Sequence, residues 1–219
     1  MIVLGIDSST DNLAVGLATE QSTIASKVLM APRQHGSQII NLIGQLLVEA
    51  GKTKNDLGGV AVAIGPGSFT GLRVGLATAK GLAIGLKIPL IGVSTFDVVT
   101  DRLRGEYPEF CLAVVARRGE FYFCRTEIKT AVELKIELVG ESDLTKRVGN
   151  VPIGFITGQP DNFEKNKFRM IPSDKLLVSA DELAKLGVKR IAAEKIDDPA
   201  LLEPLYIAPS QAERRFSDR

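Results

Sequence analysis

The stretch "AIGPGSFTGLRVGLATAKGLAIG", residues 63–85, constrains the fold more than any other. Its Leu, Val and Ala residues recur at helical spacing, yet Gly65, Gly67, Gly71, Gly75, Gly81 and Gly85 run through it. A glycine inside a helix costs up to about 1 kcal/mol relative to alanine. Several such costs imply an offsetting gain. A glycine loop that opens a helix is one setting in which backbone N–H groups and the helix dipole hold phosphate. A P-loop needs a lysine directly after its last glycine, but Leu72 follows Gly71. A dinucleotide-binding turn needs a third glycine three residues after the second, and Thr70 stands there after Gly67. Both motifs fail, which leaves open an anion site of another kind at Ser68, Phe69 and Thr70. The other explanation is packing. On a helical wheel Gly71, Gly75, Thr78, Ala79 and Gly85 share one face, with Arg73 and Lys80 roughly opposite. A face without side chains lets another backbone approach closely. That backbone belongs either to the chain's own sheet or to an external helix.

The surrounding pattern supplies the layers. Residues 2–6, 13–18 and 23–29 read as three strands of an antiparallel meander, with a turn at Asp7-Ser8-Ser9-Thr10-Asp11-Asn12. Ser37 is a candidate cap for a helix in which Ile39, Leu42, Ile43, Leu46, Leu47 and Ala50 keep helical spacing, and Gly51 is its stop. Ile40 widens its apolar arc to roughly 160°, more than one buried face requires. This favours an external partner helix. Residues 60–64 and 89–95 read as strands and 96–103 as a short helix. The order β-β-β-α-β-α-β-α implies a mixed sheet covered by helices. A polar segment at 102–109 suggests a first lobe at 1–103 and a second at 104–219, with the C-terminal segment a candidate to return to the first. In the second half, 110–116 and 121–129 read as paired strands around the turn Arg117-Arg118-Gly119-Glu120. Residues 151–157 and 176–178 read as strands, 180–186 as a helix and 198–203 as a short helix. The charged tail, 211–219, reads as frayed.

Charge excludes some functions. The 27 basic and 26 acidic residues leave a net charge of +1, so no strong field for nucleic acid or an anionic membrane is expected. Cys111 and Cys124 lie in apolar runs and read as buried thiols. The N-terminus lacks the features of a signal peptide, and no apolar run is long enough to span a membrane. A cytoplasmic location is expected.

"GPGSFTGLRVGLATAKGLA", with "GIDSST" upstream, "VARRGEFY" downstream and "PLYIAPSQAE" near the end, resembles the TsaB (YeaZ) family. That resemblance implies an α/β fold of two actin-like ATPase (ribonuclease H-like) lobes. It implies a non-catalytic subunit that pairs with TsaD, joined by the ATPase TsaE, for N6-threonylcarbamoyladenosine formation in tRNA beside the anticodon. It also implies a homodimer when alone, contact with tRNA only through the complex, and no required cofactor. Weak ATP or ADP binding, at the lobe cleft or the heterodimer interface, is left open. Both pairings would use the two helices just described, through Ile39, Ile40, Ile43, Leu47, Gly71, Gly75, Thr78, Ala79 and Leu82. On this view Gly75→Leu should block pairing and keep the fold. In the superfamily, Asp7 matches a metal-holding acid, and Ser8, Ser9 and Thr10 would face phosphates; a plain hairpin with a capping Asp is the alternative.

Two departures argue against chemistry. Most family members carry an Asp before the "ARRGE" turn, where this chain has Val115. TsaD holds its metal with two histidines four residues apart. Here the matching positions are His35, the chain's single histidine, and Ile39. One imidazole beside an isoleucine makes no metal site, which also counts against the older glycoprotease label. His35 is expected to make a local hydrogen bond. Arg117, Arg118, Arg214, Arg215 and Arg219 are candidates for tRNA phosphates, but a solvated role is favoured. A free-standing phosphotransferase of the superfamily is the main rival, and a metallopeptidase the second.

Overall fold

The computed structural model describes residues 1–30, 34–127, 134–157 and 168–207. The chain forms two compact units, one of Met1–Val98 with Val178–Pro204, the other of Val99–Leu177 with the segment from Leu205.

The first unit is built on a five-stranded sheet. Its strands are β1 (Ile2–Asp7), β2 (Asn12–Ala18), β3 (Thr23–Met30), β4 (Leu57–Gly65) and β5 (Leu90–Ser94), in the order β3-β2-β1-β4-β5. The meander β1-β2-β3 is antiparallel, and β4 and β5 add in parallel. Parallel addition requires crossovers, and helices α1 (His35–Glu49) and α2 (Phe69–Leu86) supply them. Side chains alternate along each strand. Leu4, Ile6, Val60 and Val62 point to the α1/α2 face, where Ile39, Leu42, Ile43, Leu46 and Leu76 complete the core. Each such aliphatic contributes about 1.5–3 kcal/mol when fully buried.

The opposite face carries small residues for a different neighbour. Helix α5 (Ala180–Ala192) lies there with Leu183, Ala184 and Val188 against Val3, Ala61 and Ala63. It sits so close that a Cβ at Gly5 would lie 1.9 Å from the Ala180 carbonyl oxygen, and one at Gly16 2.4 Å from the Asp181 nitrogen. The chain that follows α5 seals the outer edge of β5. Asp197 donates its N–H to the Leu90 carbonyl at 3.0 Å, and its carboxylate accepts from the Gly92 N–H at 2.8 Å. Arg190 donates to the Gly92 carbonyl at 2.6 Å and pairs with Asp97.

The division between units falls within α3 (Thr95–Leu103). The second unit has a four-stranded sheet, β8-β7-β6-β9, from β6 (Glu109–Arg117), β7 (Glu120–Glu127), β8 (Glu137–Gly140) and β9 (Ile153–Thr157). Helix α4 (Glu141–Val148) buries Leu144 and Val148 with Cys111, Phe121 and Phe155.

The meander, both crossover helices and the β6/β7 hairpin stand where the apolar pattern puts them. Other elements differ. Residues 176–178 form no strand; a short 3-10 turn, Ser173–Leu176, inserts Leu176 over Gly154 instead. Residues 198–203 form a turn, in which Leu201 and Leu202 donate to the Asp198 carbonyl, because Asp197 is engaged at the sheet edge. Helix α5 runs on past residue 186. Helix α1 starts before Ser37, with Gln34 in the capping position, and the Ser37 hydroxyl donates back to the Gln34 carbonyl at 3.0 Å. Strand β8 and helix α4 lie outside the elements expected from the sequence, because β8 is only four residues long and α4 is short and mostly polar. The tail 211–219, with Arg214, Arg215 and Arg219, lies outside the described residues, as does the end of the strand expected at 121–129.

Candidate functional site

The glycines of α2 divide into two groups. Gly71 and Gly75 are buried, and what faces them is the turn after β1. A Cβ at Gly71 would lie 2.0 Å from the Ser8 carbonyl oxygen, and one at Gly75 would lie 2.2 Å from Ser8 Oγ. Gly67 meets the Ser9 carbonyl oxygen at 2.4 Å in the same sense. Glycine here admits the chain's own backbone. Gly81 and Gly85 differ, because nothing lies within 4 Å of where their Cβ atoms would be.

This corrects the interface read from the wheel. Gly71, Gly75 and Ala79 face inward, and Ile39 and Ile43 belong to the core. Leu47, Thr78 and Leu82 are half-buried, and the Thr78 hydroxyl donates to the Val74 carbonyl at 2.9 Å. A wheel gives which residues share a side, but not which side is inside. Leucine at Gly75 would strike Ser8, so it tests folding and not pairing.

A face open to solvent does exist, turned away from the inward strip. On α1 it carries Ile40, Gly44 and Val48, one turn apart. On α2 it carries Ala77, Gly81, Ile84 and Gly85. Ile40 is 59% exposed, Val48 79% and Ile84 63%. Three large aliphatics standing among bare glycines on two neighbouring helices make an apolar surface of low relief, and such surfaces mark interaction sites. Val48 and Ile84 were missed in the sequence, because an exposed aliphatic and a core one look alike there. At the head of α2, Arg73 stacks over the exposed Phe69 ring at 3.8 Å. Ser68 caps this end by accepting from the Gly71 N–H at 3.3 Å, and its own N–H donates to the Ser9 carbonyl at 2.7 Å.

The Asp7 turn is buried. Asp7 accepts from the Ser9 N–H at 2.9 Å, and burial pushes its carboxyl above the ordinary range. The Ser8 hydroxyl donates to the Gly71 carbonyl at 2.8 Å. Thr10 closes the hairpin locally by accepting from the Asn12 N–H at 3.1 Å. The fold class implies a nucleotide, and phosphate there would need free donors and an ionised acid. The donor hydroxyl of Ser8 and the N–H of Ser68 are both engaged within the chain, burial raises the Asp7 carboxyl, and the Ser9 hydroxyl is buried without a hydrogen-bond partner among the described residues. At Ser8 and Ser68 the turn as it stands offers no free donor to a phosphate group.

Of the remaining candidates Arg118 is exposed, and the others take their places within the chain. His35 Nε2 lies 3.3 Å from the Asp11 carbonyl oxygen, the local bond expected of it. Val115 packs beside the second unit's core cluster. Arg117 pairs with Glu120 through two contacts of 2.7 and 2.5 Å, so a phosphate would have to displace a carboxylate. Cys111 and Cys124 are both buried. Among the described residues no helix is long and apolar enough to cross a membrane.

The family model described as "TsaD: tRNA N6-adenosine threonylcarbamoyltransferase" matches residues 27–145, more than half of the chain. The Escherichia coli protein named "tRNA threonylcarbamoyladenosine biosynthesis protein TsaB" is 28% identical over 99% of this chain and 98% of its own length. The solved structure of YeaZ from Pseudomonas aeruginosa superposes with a TM-score of 0.72 at 21% identity, covering 94% of this chain and all of that one. The activator of 2-hydroxyisocaproyl-CoA dehydratase from Clostridium difficile, solved with ADPNP bound, shares the fold more distantly. Its TM-score is 0.51 at 10% identity, over 89% of this chain and 98% of that one. The arrangement of two mixed sheets is thus a fold shared with these solved structures. The chain belongs to the family described as TsaD: tRNA N6-adenosine threonylcarbamoyltransferase, and its whole-length likeness is to members that carry the names TsaB and YeaZ.

Proposed function

We propose that this chain is a non-catalytic scaffold and activator subunit that pairs with TsaD, with TsaE joining, to form N6-threonylcarbamoyladenosine beside the anticodon of tRNA. The observation that carries the reading is the outward face of α1 and α2, with Ile40, Val48 and Ile84 exposed around Gly44, Gly81 and Gly85. Bare glycines let a partner helix come close, and the aliphatics then bury against it. The same face serves a second copy of the chain when TsaD is absent. The transfer itself belongs to TsaD. Here Ser8 is engaged with Gly71, Ile39 is a core residue, and Val115 offers no carboxylate. Docking stabilises the active arrangement of TsaD and builds a surface for TsaE and tRNA, so tRNA contacts come through the complex. The work of such a subunit is cytoplasmic.

Reconstitution tests this. TsaD, TsaE, tRNA and threonylcarbamoyl-adenylate are combined with and without the chain, and modified adenosine is measured. Modification that depends on the chain, and that is lost with Ile84→Asp, supports the reading. Equal modification without the chain refutes it.

A further inference from the structure

Helix α2 has two sides with different neighbours. Its inner side, at Gly71 and Gly75, lies on Ser8, which is 0% exposed. Its outer side, at Ala77, Gly81 and Ile84, forms half of the open face. A helix is stiff over two or three turns, so a rotation fixed on one side fixes the other. Three contacts fix it from the turn after β1. The Ser8 hydroxyl donates to the Gly71 carbonyl at 2.8 Å, the Ser68 N–H donates to the Ser9 carbonyl at 2.7 Å, and Ser8 Oγ fills the space that a side chain at Gly75 would need. The same turn also holds the start of α1, through His35 and the Asp11 carbonyl.

We infer that Ser8 is a positioning residue for partner docking: its hydroxyl, held between the Gly71 carbonyl and the bare Cα of Gly75, sets the rotation of α2 and so the presentation of Gly81 and Ile84. This rests on the reading of the α1/α2 face as the docking surface. Ser8 touches no partner itself. Its effect passes through the helix, and by linkage a partner that holds α2 also holds the turn.

The contact at Gly75 supplies a sharp test. The atoms nearest a Cβ there are Ser8 Oγ at 2.2 Å, Ser8 Cβ at 3.4 Å and Ile6 Cγ2 at 3.8 Å. Removing Oγ alone therefore makes room for alanine at 75. The full chain is prepared as Ser8→Ala, Gly75→Ala, the double variant and Gly81→Leu. Dissociation constants for TsaD are measured at a temperature where near-ultraviolet circular dichroism shows each variant folded, and the Ile84 methyl resonance is followed by NMR. Gly81→Leu, on the outer side, should abolish pairing without moving the Ser8 contacts. Ser8→Ala should weaken pairing by up to about tenfold, the ceiling set by the one buried hydrogen bond that positions the helix, and shift the Ile84 resonance. Gly75→Ala should be worse in the parent than in the Ser8→Ala background. An unchanged dissociation constant and an unmoved Ile84 resonance in Ser8→Ala, with pairing lost in Gly81→Leu, would overturn the role of Ser8 alone. Pairing retained in Gly81→Leu would overturn the docking surface and the role of Ser8 with it. Should Gly75→Ala fail to fold, Ser8→Ala still decides the matter.

Discussion

The two halves of α2 contain glycine for opposite reasons. In the first half, Gly71 and Gly75 are closed over by Ser8, and a single methyl group has nowhere to go. In the second half, Gly81 and Gly85 face open space, and a methyl group meets nothing. The first pair is needed for the chain to fold, and the second lowers helix stability in the isolated chain. A residue that weakens its own helix with no internal return points to something outside the chain.

The sharpest way to break this contrast is to add one methyl group to each half. Gly71→Ala places Cβ against a backbone oxygen that cannot step aside, and should destabilise the fold by about 3 kcal/mol. Gly81→Ala should stabilise the isolated chain by up to about 1 kcal/mol, because only helix propensity changes. Urea unfolding of both variants reads the two signs directly. Equal effects would erase the distinction.

Two carboxylates extend the comparison to pH. Burial raises the Asp7 pKa, so the folded chain binds that proton more tightly than the unfolded one. Stability then falls as pH rises from the ordinary carboxylate value through the raised one. Asp7→Asn should raise the melting temperature at neutral pH and flatten that part of the profile. Asp181 behaves oppositely. Burial acts to raise it, but hydrogen bonds from Ser179 and Thr23, with Lys185 near, leave it lowered. Its contribution is present above the ordinary carboxylate value and is lost as pH falls through the lowered one. Asp181→Asn should therefore cost stability at neutral pH and little in acid, as thermal melts across pH would show. A melting temperature unchanged in Asp7→Asn would mean that the carboxyl is not strained by its burial.

The smallest expected effect concerns thiols. Burial pushes the Cys111 pKa to about 12, and the thiolate is the reactive form. Alkylation at neutral pH should leave Cys111 unmodified in the folded chain and modify it after urea unfolding. Rapid labelling of the native protein would show that the second unit opens readily.

Much of the first unit was legible in the sequence. Short apolar runs at β1 and β4, with helical spacing in α1 and α2, imply a mixed sheet covered by helices from the sequence alone. What the pattern could not give was contact across long separations. Ser8 and Gly75 are 67 positions apart, and only their meeting reveals why that glycine is there. Likewise Gly5 and Gly16 are small because α5 arrives from the far end of the chain. The open face was misplaced for the same reason. Ile39 and Ile40 are adjacent in sequence and chemically equal, yet one is core and the other stands in solvent. Short elements such as β8 and α4 escape because their periods are too brief to rise above turn composition. At the Asp7 turn the residue types matched a phosphate site, while the bonds that engage Ser8 and Thr10 within the chain, and leave the buried Ser9 hydroxyl without one, show only in three dimensions.

The most direct test is the affinity of the chain for TsaD with Ile84 replaced by aspartate. The side chain is largely exposed, so the fold should be unaffected, whereas a charge pressed unpaired into an apolar interface should weaken pairing about a hundredfold or more. An Ile84→Asp chain that folds normally and binds TsaD as tightly as the parent would contradict the account.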